Sequence, residues 1–243
     1  MGKKMEEVYA QCCQKIADKS KELDHKDGYR FLLCSKRLFD EKTKILFLGL
    51  NPGVDKNDVT KIYSHESCEH GCAFFSEEWD GNPRGTQHLQ VQVINMLEAL
   101  KNELRERKST EIFANEDVLS AYFIPFRSSE LEKLANKKSI YQFAIQLWGD
   151  ILKVWKPEMI ITLGKVPFEK VRDTLIKDGY TLIPTAPFPS GWKGQTLEVV
   201  QLRKGTDIIN LGRMLHLSHF KIFSRDECRE PIRQFMELLC NRK

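Results

Sequence analysis

Two short segments of the chain combine ligand-binding residue types with a position at the end of an apolar run. The first is Gly49-Leu50-Asn51-Pro52-Gly53, which ends the run KILFLGL at residues 44–50. Its glycines let the backbone turn tightly and approach a ligand closely. Asn-Pro and Pro-Gly are also ordinary turn dipeptides, so a simple strand-to-loop turn is the alternative interpretation.

The second segment is His216-Leu217-Ser218-His219, which follows the apolar run 208–215 and holds two of the six histidines. A histidine at the carboxyl end of a strand can donate a hydrogen bond to a bound ligand. A pair of solvent-facing loop histidines is the alternative interpretation here.

Strands and helices alternate around these two segments. Continuous aliphatic and β-branched runs predict buried strands at 44–50, 118–124, 159–163, 197–202 and 208–215. The remaining pattern predicts helices at 87–107, 139–154, 166–177 and 226–239, and one or two amphipathic helices within 4–40, broken near 26–28. We expect a three-layer α/β/α sandwich with a central, mainly parallel sheet. The whole chain, 1–243, should form a single domain, with helical residues 1–40 packed on it as an N-terminal extension.

In such sheets, ligands bind beyond the carboxyl ends of the strands. The segments after residues 50, 124, 163 and 215 should therefore surround one cleft, and Asn51 and His216 should both face it. Two further stretches are predicted to be loops. Residues 54–86 show little periodicity, and loops of that length are usually functional or disordered. Residues 184–194 contain three prolines and two glycines.

The composition fits one sizeable α/β domain, with 243 residues, 41% hydrophobic and 30% charged, and a net charge of +4. That mildly basic balance is compatible with a polyanionic partner but does not demand one. The sequence contains neither a signal-peptide pattern nor an apolar window of about 18 residues. Seven scattered cysteines, an odd number, favour reduced thiols. We therefore expect an intracellular protein without membrane contact, cytoplasmic in a prokaryote or nuclear in a eukaryote.

The two segments together resemble the uracil-DNA glycosylase superfamily. In its single-strand-selective and mismatch-specific branches, the first motif reads G-M/I-N-P-G and the second reads H-P-S-P. The stretch IITLGK at 160–165 also looks like that superfamily's strand leading into a glycine turn. The similarity covers the chain from about Lys44 to its end, and Leu217 and His219 replace the two prolines of the second motif. It implies a uracil-DNA glycosylase-like α/β/α fold.

The resemblance implies a role for each motif residue. Asn51 would position the attacking water, and His216 would hydrogen-bond the leaving base and stabilise its negative charge. An oxocarbenium-like sugar and an anionic base make charge stabilisation more important than a strong nucleophile. The substrate-binding residues would be those that complete the two motifs and two aromatic residues: Gly49, Leu50, Pro52, Gly53, Ser218, His219, Phe75 and Tyr122.

Base flipping requires two further residues, which the resemblance also suggests. An aromatic side chain stacks on the flipped base, and Phe75 of the Phe74-Phe75 pair is the candidate; a small packing cluster is the alternative. A wedge residue four positions after the motif histidine fills the vacated stack. That position is Phe220, with Lys221 and Arg225 within reach of phosphates, and a Phe220 tucked into the core is the alternative.

One position departs from the enzymes of the family that excise uracil. They read the base edge with an asparagine three residues before a proline, and here Tyr122 stands three residues before Pro125. An amide offers a donor and an acceptor together, which a phenol cannot copy. The departure favours a modified or differently read base over plain uracil.

The long loop also carries His65, Cys68, His70 and Cys72, a set of residue types that zinc accepts. Their spacing is not that of a standard zinc knuckle, and free thiols in a solvated loop are favoured over zinc. The paired-cysteine spacing of an iron–sulfur cluster is missing. We therefore expect no metal and no cofactor.

The leading hypothesis is a monomeric, monofunctional DNA glycosylase that acts on a damaged, mismatched or modified base, in repair or in defence against foreign DNA. A catalytically silent member of the same fold, binding DNA or a protein, is the first alternative. The second is an unrelated α/β hydrolase in which GLNPG is only a turn. No G-x4-G-K-[ST] motif occurs, which disfavours nucleoside triphosphate hydrolysis.

Overall fold

The computed structural model of the chain describes residues 3–40, 42–54, 64–68, 71–107, 118–134 and 136–241. The helices within these ranges are α1 (Lys3–Glu22), α2 (Ala73–Ser76), α3 (His88–Glu106), α4 (Lys137–Val154), α5 (Lys165–Lys177) and α6 (Arg229–Leu239). The strands are β1 (Ile45–Gly49), β2 (Leu119–Tyr122), β3 (Met159–Leu163), β4 (Thr181–Ile183), β5 (Phe188–Pro189), β6 (Thr196–Lys204) and β7 (Asp207–Met214).

The strands form one sheet in the order β2-β1-β3-β7-β6-β4, and β5 pairs with β6. The pairings of β1 with β2, β1 with β3 and β3 with β7 are parallel, whereas β6 is antiparallel to β4, β5 and β7. Among the described strands, β6 alone therefore runs in the opposite direction. Its reversal follows from the two residues, Gly205 and Thr206, that separate it from β7, because so short a link joins only antiparallel neighbours.

The apolar residues lie in two layers, one on each face of the sheet. On β1, Leu46 and Leu48 point into the layer that also contains the buried sides of α1, α4 and α5. Ile45 and Phe47 point into the opposite layer, with the buried sides of α2, α3 and α6. This period-two alternation of a fully buried strand is the reason why helices cover both faces. The α/β sandwich with a mainly parallel sheet is confirmed.

Helix α3 begins where the sequence predicts, because side chains cap its first turn. Gln87 Oε1 accepts a hydrogen bond from Leu89 N (2.7 Å), and Gln87 N donates to Gln90 Oε1 (3.1 Å). These reciprocal bonds satisfy two backbone N–H groups that have no partner inside the helix.

The prediction of helices within 4–40 is right only for α1. Residues Tyr29–Leu33 are extended instead and lie along β2, with Leu33 N donating to Ser120 O (2.7 Å) and bridges from Tyr29 to Phe126 and from Leu32 to Ala121. The physical reason is the run Phe31–Cys34, which is buried at every position rather than on one helical face. The N-terminal region thus reaches the same sheet edge as the candidate site.

Smaller corrections concern the loops and the last helix. The stretch 54–86 contains α2, the stretch 184–194 contains β5, and α6 begins after a short 3-10 turn at Asp226–Cys228. No helix in the described ranges has the length and apolar character needed to span a membrane.

Candidate functional site

The two motif segments lie at the carboxyl edge of the sheet. Gly49–Gly53 follows β1 and His216–His219 follows β7, with β3 between these two strands. Neighbouring strands are about 4.8 Å apart, so the ends of β1 and β7 are separated by about 10 Å. Both motif segments thus follow parallel strands at the same edge of the sheet, and their contact with one ligand stays a prediction.

The residues after β2 hold the first motif in place. This strap, residues Tyr122–Ser128, runs beside Gly49–Gly53 and continues the parallel pairing of β1 with β2. Phe123 N donates to Gly49 O and Ile124 N to Leu50 O, each at 2.8 Å, and Ser128 N donates to Pro52 O at 2.9 Å. Arg127 Nη1 also donates to Gly53 O (3.0 Å). Hydrogen bonds from the strap therefore hold the backbone of Gly49–Gly53 in a fixed position.

The Asn51 amide has one defined orientation. Its Nδ2 donates to Pro52 O and to Ser128 O, both at 3.1 Å, and the side chain is half-buried. With the nitrogen held by two carbonyls, Oδ1 becomes the acceptor end of the group. An acceptor fixed in this way can orient a water molecule without acting as a strong base.

His216 is a neutral histidine with one ring nitrogen occupied. Ser218 Oγ lies 2.6 Å from Nδ1. Burial and, to a lesser degree, the charge of the neighbouring His219, whose ring centroid is 5.2 Å away, lower the pKa of His216 to about 4. We assign the tautomer that carries its proton on Nε2. In this tautomer Nδ1 accepts a hydrogen bond from the Ser218 hydroxyl. Nε2 can thus donate a hydrogen bond at neutral pH.

A backbone turn holds His216 beside the end of β3. His219 N and Phe220 N both donate to His216 O (2.9 and 3.1 Å), which closes a turn, and Leu217 is fully buried within it. His216 Cδ2 lies 3.9 Å from the position that a Cβ on Gly164 would occupy. Gly164 directly follows β3, so the ring covers the end of the strand that separates the two motifs.

Tyr122 packs directly on the first motif. A Cβ on Gly49 would lie 3.1 Å from Cδ1 and Cε1 of Tyr122, so any larger residue would require this ring to shift by a few tenths of an ångström. Although the residue as a whole is half-buried, its hydroxyl end is enclosed, and burial raises the pKa of the phenol despite the opposing charges of Arg30 and Arg127. The phenol therefore stays protonated at neutral pH.

Behind Tyr122 lies an ion pair that the sequence did not reveal. Arg30 is only 8% exposed, and its guanidinium binds Glu77 in bidentate fashion, with Nη1 to Oε2 at 2.8 Å. Trp79 Nε1 also donates to Glu77 Oε2 (3.0 Å). Burial by itself raises the pKa of Glu77, but the hydrogen bonds and charge of Arg30 outweigh this effect and lower the pKa to about 2. No local spacing connects residues 30 and 77, so only the fold brings them together.

The residues proposed for base flipping lie in two places. Phe74 is fully buried, with its ring centroid 5.6 Å from that of Phe47, whereas Phe75 is half-buried on α2, and its stacking on a base stays a prediction. Phe220 is half-buried and Lys221 and Arg225 are exposed. The Phe220 ring packs edge-to-face on Trp192, which our sequence analysis did not single out, although an aromatic residue in a Pro- and Gly-rich loop is a usable signal.

The residues considered for zinc do not form a site in the described part of the chain. His70 lies outside the described residues. Among those described, no group of three or more His, Cys, Asp or Glu side chains has an arrangement able to hold a metal. Cys68 and Cys72 are buried, and burial raises the pKa of the Cys72 thiol to about 12.

No protein-family model matches the chain, and no curated protein matches its sequence. Functional inference therefore depends on the residues of the carboxyl edge and their geometry.

Proposed function

We propose that the chain is a DNA glycosylase that hydrolyses the N-glycosidic bond of a flipped nucleotide and leaves an abasic site. One observation supports this most strongly: an oriented amide and a neutral imidazole, at Asn51 and His216, lie at the same sheet edge and on opposite sides of the end of β3. This pairing suits a reaction that needs a positioned water on one side and a hydrogen-bond donor on the other.

Asn51 would act on the water. Breaking of the C1′–N bond leaves positive charge on the sugar, and a water held by Asn51 Oδ1 would add to C1′ and release its proton to solvent. The amide nitrogen is bound to Pro52 O and Ser128 O, so the oxygen does not need to reorganise before the reaction.

His216 would act on the base. The bonding electrons move to the base, and the Nε2 proton of His216 would stabilise the developing anion by a hydrogen bond. Because burial lowers the pKa of this histidine to about 4, it is neutral at physiological pH. The buried ring avoids the cost of a buried charge and still supplies the donor.

Tyr122 favours a substrate other than plain uracil. Its ring covers Gly49, and a phenol cannot present the paired donor and acceptor that match the edge of uracil. We propose a damaged, mismatched or modified base, with a modified pyrimidine as the leading class.

Tyr122 also favours a second candidate function. Its phenol replaces the base-reading amide that the resemblance leads us to expect, which suits a catalytically silent member of the fold that binds DNA or a protein. This candidate and the first differ in whether an abasic site forms.

The test uses oligonucleotides carrying uracil, hypoxanthine, mismatched thymine, hydroxymethylcytosine or glucosylated hydroxymethylcytosine, followed by alkaline cleavage of abasic sites. We expect cleavage of at least one, and a loss of about 10²- to 10³-fold in rate in Asn51→Ala and in His216→Ala. Gln14→Ala, which removes an exposed amide on α1, is the matched control and should retain full rate. Absence of product on all five substrates would overturn the glycosylase proposal in favour of the binding function.

A further inference from the structure

The turn before β6 presents an aromatic side chain on a rigid backbone. This turn, residues Ser190–Gln195, is closed by two backbone hydrogen bonds. Ser190 N donates to Gln195 O (3.0 Å), and Gln195 N donates to Trp192 O (2.9 Å). The buried Ser190 Oγ accepts from Trp192 N (3.1 Å). Because β6 runs opposite to β7, its first residue lies at the carboxyl edge of the sheet. Trp192 is therefore at the same edge as His216.

Close packing fixes this turn against the segment that follows the second motif. Gly191 has φ +79°, and a Cβ there would lie only 2.1 Å from Glu227 O, so the two backbones are in direct contact. On the other side, Phe223 N donates to Gln92 Oε1 (3.0 Å) and Gln92 Nε2 donates to Ser224 Oγ (2.8 Å). The turn and the segment 220–225 thus form one rigid rim beside the cleft.

Two rings and a guanidinium are stacked on this rim. The Phe220 ring lies 5.5 Å from Trp192 at an interplanar angle of 88°. The guanidinium carbon of Arg225 lies 3.9 Å from the centroid of the Trp192 ring. Both rings are half-buried against the apolar layer of α3 and α6, and Arg225 places a cation on the indole at the protein boundary.

The charge of the rim matches a polyanion. Lys193, Lys221 and Arg225 are exposed, and within the described ranges none of the three forms an ion pair. Glu227 adds one negative charge beside them, and Asp226 is paired with Arg229 at 2.8 Å. Aromatic surfaces interleaved with unpaired cations are typical of single-stranded nucleic-acid binding.

We propose that Trp192 and Phe220 form a stacking platform for nucleobases of a DNA strand beside the cleft, with Lys193, Lys221 and Arg225 contacting the adjacent phosphates. The proposal rests on the proposed function for its choice of DNA, and it extends that function from a single wedge at Phe220 to two rings. Stacking does not select the base, so the platform binds ordinary bases and does not need the substrate base.

The experiment measures binding of fluorescein-labelled dT12 by anisotropy, without any reactive base. Trp192→Ala should weaken binding about 5- to 150-fold, the loss that corresponds to one stacked base, and Trp192→Phe should retain most of it. Tyr141→Ala is the control, because Tyr141 is half-buried on α4 and packs in the layer on the other face of the sheet from the rim. A melting temperature for each variant shows that it remains folded.

The salt dependence tests the cations separately. Lys193→Ala and Lys221→Ala should each lower the slope of log K against log [NaCl] by about 0.7, the value for one single-strand phosphate contact. Lys177→Ala removes an exposed lysine at the far end of α5 and should leave the slope unchanged.

Unchanged dT12 affinity in a folded Trp192→Ala variant would overturn the platform, whatever the glycosylase assay shows. Conversely, weakened binding in Trp192→Ala together with no abasic product from any substrate would support the platform and contradict the glycosylase.

Discussion

The two sides of the candidate cleft are built differently. On the β1 side, the strap brackets Gly49–Gly53 with backbone hydrogen bonds, and the Arg30–Glu77 pair lies buried behind Tyr122. On the β7 side, His216 is fixed by Ser218 within a short turn, and beyond it lie Trp192, Phe220 and exposed cations.

This difference separates two physical tasks. Positioning a water requires a group that does not move, and buried hydrogen bonds with a paired charge supply that rigidity. Contact with a long polyanion requires exposed cations and flat apolar surface, which would be lost by burial. We therefore expect substitutions on the β1 side to change stability most, and those on the β7 rim to change DNA binding most.

The largest stability effect is expected for Glu77→Ala. It leaves the buried Arg30 guanidinium without its carboxylate. Because the Glu77 side chain is 31% exposed, we expect a loss of about 3 kcal/mol, the lower end of the cost of breaking a buried pair. Urea denaturation at pH 7 measures the change. Glu130→Ala is the control, since its pairing with Lys133 is exposed on both partners and should contribute about 0.5 kcal/mol or less. Equal losses in the two variants would show that the buried pair has no special weight.

The next largest effect is on the pH dependence of stability, where His216 should contribute about 3 kcal/mol to the free energy of unfolding. Its pKa is about 4 in the folded protein, below its ordinary value, so the unfolded chain binds a proton first as the pH falls. The contribution of the neutral ring is complete above about pH 6.5 and is lost progressively as the pH falls towards 4. The free energy of unfolding of the His216→Gln variant should lack this pH-dependent component. If the free energy of unfolding of the variant and of the unmodified protein changed with pH in parallel, the burial of the His216 ring would be contradicted.

A smaller effect on stability is expected for two glutamines of α3, one of which contacts each side of the candidate cleft. Gln92 holds Phe223 and Ser224 of the rim, whereas Gln90 Nε2 donates to Glu77 O (2.8 Å). Each Gln→Leu substitution should cost about 2 kcal/mol, because buried backbone groups lose their partners. Only Gln92→Leu should also weaken dT12 binding. If both variants weaken it equally, the rim is not the binding surface.

The smallest effect is expected for Gly49→Ala, at about 1 kcal/mol, since Tyr122 must yield to the new Cβ. Gly53→Ala is the matched control, because no described atom lies within 4 Å of a Cβ there. In a Tyr122→Ala background the cost of Gly49→Ala should disappear. A cost that persists in the double variant would show that the ring does not press on this glycine.

Several features of the fold follow directly from the sequence. Residues 159–163 form β3 as predicted, because a continuous aliphatic run of that length suits a strand buried on both faces. The amphipathic pattern of α3 and its capping glutamines likewise define its start locally. The placement of Asn51 and His216 after strands was also predictable, since each motif directly follows an apolar run.

Tertiary structure alone decided the rest. Tyr29–Leu33 form an extended segment along β2, and although the apolar run Phe31–Cys34 disfavours an amphipathic helix, its pairing with β2 depends on the fold. Arg30 and Glu77, and likewise Trp192 and Phe220, meet only when distant segments pack together. The sequence by itself determined the long strands β1, β2, β3, β6 and β7 and the residue types that follow them, because those preferences are local, whereas the short β4 and β5 were not predicted. The choice of partners for a buried charge or an exposed ring depends on the whole chain, and so only the folded structure decided it.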